Sequence, residues 1–523
     1  MIADVIARLR GRRIHVVGLS GTEGAAVVQF LLARGVTSIT AHDLATRDEF
    51  PGAFRRYHAW MDPAAQETAI RQLLAAPVQF RFRDRYLEDI AQAEIIYAGQ
   101  AWFRHPENAA VARARDAGVP LSSMTALFFE TVPCPILGVT GTNGKFTVVH
   151  LAAEMLAGSG RRTFVSGNDR MHTPILYRLD EVPPDAILVL EISNRQLIDL
   201  RHSPRIAVIT NLAPHHLDDH GSFEAYVRVK SGILAYQPAD GRAILNADDA
   251  PTWGLAGAAR CPVLAFSRLR TVEDGACLVE GWITLRRAGR EERICRADEI
   301  PAPGVHTIEN ALAASLAAWA AGARPQAIAS VLRAFRGLPY RLRFVREIGG
   351  VRFYEDSLAT NPAAAAAAVG AFERPIVLIA GGHRRGGSAA DFQPLAQALG
   401  DRAVRAVLLI GAMMPQIQAA IEQAGLRVSV LECGTLDVAV RKARELARPG
   451  DAVTLSPGCE SFDQFRDYRD RGDRYLALVA ALAEEAGLAP AGASPASPRP
   501  QPGGQSDQRG SPSGGEAGNG RWT

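Results

Sequence analysis

The sequence predicts three successive α/β domains followed by a disordered tail, on the strength of three observations. Strand-then-helix alternation recurs in three separate stretches. The chain is 523 residues long, which at about 100–200 residues per domain leaves room for roughly three domains with sizeable cores. From residue 488 onward the composition turns to Pro, Gly and Ser, which cannot bury a core. The expected division is 1–133, 134–337 and 338–487, with 488–523 as the tail.

The first stretch opens on a short amphipathic helix, MIADVIARLRGRR, that runs into basic residues without the apolar centre of a signal peptide. Arg13-Ile-His-Val-Val-Gly18 is a continuous apolar run, the pattern of a buried parallel strand. Gly18-Leu-Ser-Gly21-Thr-Glu-Gly24 follows, then a helical pattern over 25–34 and a second strand, Ser38-Ile-Thr-Ala-His-Asp43. The glycines read G-x-x-G-x-x-G, an imperfect dinucleotide fingerprint, and a tight turn that needs glycine accounts for them as well. Residues 51–90 interleave aromatic and basic side chains, as in Phe54-Arg-Arg-Tyr-His-Ala-Trp60 and Gln79-Phe-Arg-Phe-Arg-Asp-Arg85. Such a pattern suits stacking on nucleic acid, but an amphipathic helix and a charged strand edge explain it better in a chain of near-neutral charge. The second stretch begins with the strand Pro135-Ile-Leu-Gly-Val-Thr140. The third carries two buried-strand signals, Pro375-Ile-Val-Leu-Ile-Ala-Gly-Gly382 and Ala406-Val-Leu-Leu-Ile-Gly411, each followed by a helical pattern.

Composition excludes several classes. Hydrophobic residues make up 47% and charged residues 22%, ordinary for a globular protein. Against 55 acidic residues stand 58 basic ones, a formal charge of +3, which gives no electrostatic case for nucleic-acid or membrane-surface binding. Cysteines 134, 261, 277, 295, 433 and 459 form no C-x-x-C pair, against a disulfide framework or structural zinc. No apolar run approaches the roughly 20 residues that span a bilayer. A cytoplasmic enzyme is expected.

The strongest chemical signal is Val139-Thr-Gly141-Thr142-Asn143-Gly144-Lys145-Phe146-Thr147, between a strand and a helical pattern over 148–157. A glycine-rich turn lets backbone N–H groups converge on phosphate oxygens, and the helix N-terminus behind it favours negative charge. An ordinary turn explains the glycines but not the lysine that follows them, which would reach the β- and γ-phosphates. Phosphate loops normally place Ser or Thr after the lysine, as a magnesium ligand. Phe146 stands there and cannot ligate, and Thr147 is turned a further ~100° around the helix.

From this loop onward the chain resembles the Mur ligases, the ATP-dependent amino-acid ligases of peptidoglycan precursor synthesis. T-G-T-N-G-K is similar to their phosphate loop, and later segments fit in order from about residue 12 to 486. These are Leu188-Val-Leu-Glu191-Ile-Ser193, Asn211-Leu-Ala-Pro-His-His216-Leu-Asp218 and Gly221-Ser-Phe-Glu-Ala-Tyr226-Val-Arg-Val-Lys230. Asn246-Ala-Asp-Asp249, Gly304-Val-His306-Thr-Ile-Glu-Asn310, Gly337-Leu-Pro-Tyr-Arg341 and Asp356-Ser-Leu-Ala-Thr-Asn361 follow. Ser456-Pro-Gly-Cys-Glu-Ser461-Phe-Asp-Gln-Phe465, continuing to Arg471-Gly-Asp473, is most similar to the branch that adds D-glutamate to UDP-N-acetylmuramoyl-L-alanine.

The resemblance implies a Rossmann-like N-terminal domain for the UDP substrate, a central P-loop ATPase-like domain, and a Rossmann-like C-terminal domain for the amino acid. It implies ATP held by Gly141 to Thr147, with Asn310 near the adenine and Arg341 and Asp356 around the nucleotide. Glu191 and His216 would hold one divalent ion, and Lys230, carbamylated into an anionic ligand, a second magnesium. Lys145, His216, Lys230, Arg341 and Asp356 would carry the chemistry. Asp43 would face the uridine part and Asn168 the muramoyl substrate, while Arg385, Ser461 and Tyr468 would face the incoming glutamate. The implied partners are small molecules (UDP-N-acetylmuramoyl-L-alanine, glutamate and ATP), with no nucleic acid, no membrane and a monomeric chain. Departures from the family pattern cluster at the same places: Phe146, His215 for Asp, Tyr340 for His, Leu358 for Lys, and His383-Arg384-Arg385 in the G-G-x-D-K-G segment. Leu358 leaves open a related ligase for L-glutamate or another amino acid. Phe146 leaves open a homologue that binds nucleotide without turnover.

Overall fold

The computed structural model describes residues 2–167, 173–384 and 387–488. The tail from 489 onward and the residues at 168 and 385 therefore lie outside the described residues, and with them the expectations for Asn168, Arg385 and the tail. Three sheets account for the strands, in chain order.

The first sheet has five parallel strands, ordered Gln79–Arg81, Ile39–His42, Ile14–Val17, Ile95–Ala98, Leu121–Ser122. Ile14 pairs with Ile39 on one side and Ile95 on the other. The chain thus leaves the central strand in one direction and returns on the opposite side, and the crevice above the strand ends is where such sheets take ligands. Helix Thr22–Ala33 starts earlier than the periodicity of 25–34 suggests. A Cβ at Gly24 would lie 2.2 Å from the Gly18 carbonyl oxygen, so close packing of helix on turn demands glycine there. The aromatic–basic stretch separates as expected. Phe50 and Phe54 of helix Phe50–Tyr57 are buried while Arg55 and Arg56 are exposed, and Gln79–Arg81 is an edge strand.

The central sheet has nine strands, ordered Arg290–Arg296, Trp282–Arg287, Gly275–Val279, Val263–Ser267, Arg242–Asn246, Ile206–Ile209, Ile136–Thr140, Ile187–Glu191, Thr163–Gly167. The last seven of these are parallel, and an antiparallel ribbon, Trp282–Arg287 with Arg290–Arg296, extends the edge. The parallel strands read as unbroken apolar runs because helices cover both faces. One face carries helices Lys145–Gly158 and Val305–Ala320, whose small Ala311, Ala314 and Ala318 are buried against the sheet. The other face shares one hydrophobic cluster with the first sheet, continuous from Leu31 and Phe128 to Leu190, Ile209 and Tyr226.

The third sheet has six strands, ordered Arg343–Ile348, Val351–Glu355, Ala452–Leu455, Ile376–Gly381, Val404–Ile410, Ser429–Gly434. Its first two strands form a hairpin through Gly349 and Gly350, both at positive φ, which suits a tight turn of matching twist. Helices Pro362–Gly370, Gln393–Gly400 and Met414–Gln423 cover one face, and Leu436–Leu446 and Tyr468–Glu485 the other. No helix among the described residues is long and apolar enough to cross a membrane.

Candidate functional site

Strand Ile136–Thr140 is buried along its whole length and delivers the glycine-rich turn to the C-terminal end of the central sheet's parallel strands. Gly141 has φ +142, and a Cβ there would meet the Thr210 hydroxyl at 2.0 Å. Gly144 has φ +82, and a Cβ would meet the Asn310 amide oxygen at 2.1 Å. That contact is what brings Asn310 to the loop, with its side chain against the turn that starts the next helix. Two loop amides are already committed: Thr142 N donates to the Asn211 carbonyl at 2.8 Å and Asn143 N to the Asn211 side chain at 3.0 Å. Helix Lys145–Gly158 begins at once and has no side-chain cap, so its first-turn amides are the ones free to meet an anion.

Three charged side chains converge under this loop. Lys145 folds back so that Nζ donates to the carbonyls of Gly141 and Thr142, at 3.1 and 3.0 Å. Lys230, on helix Phe223–Ser231, is 1% exposed, and its Nζ donates to Thr140 Oγ1 at 3.0 Å and to the Gly141 carbonyl at 2.8 Å. Glu191 ends the neighbouring strand Ile187–Glu191 and acts electrostatically on both lysines. Burial lowers the Lys145 ammonium, Glu191 opposing and Arg341 assisting. Burial lowers Lys230 much further, helped by the Lys145 charge. Tyr226, one turn before Lys230, places its ring 5.5 Å from that Nζ and its hydroxyl 3.0 Å from Thr142 Oγ1. Phe146 packs its ring against His150, tilted by 47° with centroids 4.0 Å apart, while Thr147 is buried.

His216 occupies a different cluster. It adopts a left-handed backbone, φ 52, and lies with Asp218 and Asp219 in a group whose ligand atoms fall within 4.8 Å of one another. Asp219 accepts from Arg195 at 2.8 Å and pairs with Arg104 at 3.2 Å; Arg104 also bonds Asp218 at 3.0 Å. Arg104 follows the fourth strand of the first sheet, so these pairs tie that unit to the His216 turn. Trp102 adds a bond from its indole N–H to Asp199 at 3.1 Å.

Arg341 interacts electrostatically with Lys145, His306 and Asp356, so the start of the third unit faces the loop. Asp356 is buried, accepting from Leu342 N at 2.9 Å and the Ser456 hydroxyl at 2.6 Å; burial nevertheless pushes its carboxyl up to about 7. Its neighbour Glu355 is likewise raised to about 7 by burial. Asp43 lies at the end of strand Ile39–His42, its oxygens accepting from Ser20 N at 2.5 Å and Ala45 N at 2.9 Å, so it fixes the first glycine turn. Ser461 is buried, and Tyr468 sets its ring 5.6 Å from Tyr340, whose hydroxyl donates to Asp473 at 2.9 Å.

Two features escaped the sequence reading. Arg471 is fully buried and donates to Ser357 Oγ at 2.9 Å and to the carbonyls of Ser357, Cys459 and Glu460 at 2.9, 3.0 and 3.2 Å. It clasps the loops after strands Val351–Glu355 and Ala452–Leu455. Beside them lies a cavity of about 500 Å³ lined by Thr360, His383, Arg384, Glu460 and Phe462. An arginine followed by glycine inside a helical pattern was the available signal for the first; for the second, resemblance singled out the segments around His383–Arg384 and Glu460–Phe462 but not that they enclose a cavity.

Residues 139–318 match the family model of the Mur ligase middle domain, and residues 340–459 that of the Mur ligase glutamate ligase domain. The chain is 37% identical to the UDP-N-acetylmuramoylalanine–D-glutamate ligase of Symbiobacterium thermophilum over 90% of its own length and 98% of that relative's. It is also 37% identical to the enzyme of the same name from Acidobacterium capsulatum, over 90% and 97%. Among solved structures, a UDP-N-acetylmuramoyl-L-alanyl-D-glutamate–2,6-diaminopimelate ligase has a TM-score of 0.51 at 21% identity, covering 82% of this chain and 88% of that one. The UDP-N-acetylmuramate–alanine ligase of Thermotoga maritima has 0.50 at 16%, covering 90% and 100%. These two likenesses concern the fold.

Proposed function

Because the chain belongs to the Mur ligase family, ATP-dependent ligases of peptidoglycan precursor synthesis, we propose that it joins D-glutamate to the alanyl carboxylate of UDP-N-acetylmuramoyl-L-alanine. The observation that carries this reading is the Gly141–Lys145 loop, with uncapped helix amides and, beneath it, Lys145 and the buried Lys230 under the electrostatic influence of Glu191.

A carboxylate is a poor electrophile and must be activated before an amine can attack it. An oxygen of the alanyl carboxylate attacks the γ-phosphorus of ATP, the bond to the β-phosphate oxygen breaks, and ADP leaves, giving an acyl phosphate. The amine of glutamate attacks the acyl carbon, phosphate departs with the electron pair, and the amine's proton goes to solvent. Two anions meet in the first step, so electrostatic stabilisation dominates. Lys145 and the first-turn amides of helix Lys145–Gly158 hold the phosphates; Arg341 faces the same space from the third unit. Asn310 packs against the loop where the adenine would extend, and Asp356, held by Ser456, steadies the Arg341 segment.

The family requires magnesium, a hard cation that favours oxygen donors. Glu191 and His216 are proposed for one ion and a carbamate on Lys230 for a second; among these, His216 stands in the separate cluster with Asp218 and Asp219. When bound, the ions neutralise charge developing on the phosphates. Carbamylation requires a neutral amine as the nucleophile toward carbon dioxide, and burial of Lys230 favours that form. Residues 1–133 are assigned to the UDP substrate, with Asp43 near the uridine part and Asn168 of the next unit near the muramoyl group. Residues 134–337 are assigned to ATP, and 338–487 to the amino acid, with Arg385, Ser461 and Tyr468 at its site. The enzyme is proposed to act as a monomer in the cytoplasm, where its nucleotide substrates occur.

Phosphate release tests the reading. It should require ATP, UDP-N-acetylmuramoyl-L-alanine and D-glutamate together, and should fall by about 10²–10³ in Lys145→Met. L-glutamate supporting faster release than D-glutamate would overturn the stereochemical assignment, and release independent of the UDP substrate would overturn the ligation.

A further inference from the structure

The cavity beside the Arg471 clasp is lined by side chains of both charges. His383 and Arg384 line it, the latter bonded to Asp391 through one guanidinium nitrogen at 3.3 Å. Glu460, an exposed residue in the loop that follows strand Ala452–Leu455, lines it as well, its backbone paired with that of His383. The Glu460 backbone is fixed twice: its carbonyl accepts from His383 N at 2.8 Å and from the buried Arg471 Nη1 at 3.2 Å. Among the described residues its carboxylate accepts no hydrogen bond, so the side chain is held at the wall without being used there. Phe462, 64% exposed, adds an apolar surface to the same cavity.

A cavity lined by a guanidinium, a carboxylate and an aromatic ring complements a molecule with an acid group, an ammonium and methylenes. A carboxylate placed there attracts a cation. We propose that Glu460 is a specificity-determining residue, the receptor for an ammonium group of the incoming amino acid, with Arg384 on the acid group. This rests on the ligase reading only in taking the cavity as the amino-acid site. The ammonium has two sources: the α-ammonium of a dicarboxylic amino acid, or the side-chain ammonium of a diamino acid.

The test uses the full chain and two readouts. Calorimetry measures binding of D-glutamate, its deaminated counterpart glutarate, and D-lysine, with a non-hydrolysable ATP analogue and UDP-N-acetylmuramoyl-L-alanine present. Phosphate release gives the KM for the amino acid and for ATP. The unsubstituted chain should prefer an ammonium-bearing ligand to glutarate. In Glu460→Gln that ligand should weaken about ten- to a hundred-fold, with glutarate affinity and the ATP KM within twofold and partial recovery in Glu460→Asp. Loss confined to D-glutamate identifies the α-ammonium, and loss confined to D-lysine the side-chain source. No preference over glutarate, or an amino-acid affinity unchanged in Glu460→Gln, overturns the proposal. Glu460-dependent binding without phosphate release would overturn the ligase reading and leave this one standing.

Discussion

Lys230 Nζ donates to the hydroxyl of Thr140 at 3.0 Å across ninety residues of sequence. Thr140 Oγ1 in turn donates to the carbonyl of Ile192 at 2.7 Å, next to Glu191. The lysine is thereby locked beneath the phosphate loop, in a place too dry to favour its charge.

A positioned amine whose charged form burial disfavours should take up carbon dioxide. Lys230→Ala is expected to lower phosphate release by at least ~100-fold. Acetate or another short carboxylic acid, entering the space left by the side chain, should restore part of it. Labelled carbon dioxide should give a carbamate carbon signal in the unsubstituted protein that vanishes in Lys230→Ala. A normal rate in bicarbonate-free, degassed buffer with no such signal would contradict the assignment.

Phe146 offers no ligand where phosphate loops usually carry a hydroxyl, and its ring packs on His150 instead. With the metal ions assigned to Glu191, His216 and Lys230, Phe146→Ser should change phosphate release by less than about threefold. The magnesium concentration at half-maximal rate should shift little. A gain of tenfold or more would show that position 146 limits the metal site.

Arg471 holds three carbonyls and a hydroxyl on two loops at once. Arg471→Met removes the donors and leaves those acceptors buried, at a cost of about 3 kcal/mol or more. Denaturant unfolding should show that loss. Glu460→Gln, in the same loop but exposed, should unfold within about 0.5 kcal/mol of the unsubstituted protein.

His15 and His42 form a buried pair with ring nitrogens 2.9 Å apart, and Leu87 N donates to His42 Nδ1 at 3.2 Å. The pairing assigns His42 its proton on Nε2, which it donates to His15. Burial lowers His15 from 6.5 to about 4; burial and then the His15 charge lower His42 from 6.5 to about 3. Below pH 6.5 the unfolded chain therefore binds protons that the folded chain refuses. Stability from these rings is complete above pH 6.5 and falls toward pH 4 by about 1.4 kcal/mol per pH unit for each ring. The double variant His15→Leu/His42→Leu should show a shallower loss over that window, measured by denaturant unfolding at several pH values.

The geometry of the glycine-rich loop was readable because its elements are contiguous. Gly141, Gly144 and Lys145 lie between an apolar strand and a helix, and local spacing alone requires that geometry. The charged strand edge at Gln79–Arg81 and the buried face of Phe50–Tyr57 followed from alternation and burial. What was hidden depends on chain crossings. Asn310 meets Gly144, Tyr226 meets Thr142, and Arg471 meets Ser357 only once sheets and helices are assembled. That the segments around Thr360, His383 and Glu460 enclose a cavity was not legible, because they belong to three separate loops of the third sheet.

The most direct test follows oxygen from the alanyl carboxylate. UDP-N-acetylmuramoyl-L-alanine labelled with heavy oxygen in that carboxylate is incubated with ATP and D-glutamate, and the released phosphate is weighed by mass spectrometry. Activation through an acyl phosphate predicts one labelled oxygen in each phosphate released during amide formation. Amide formed with unlabelled phosphate would contradict it.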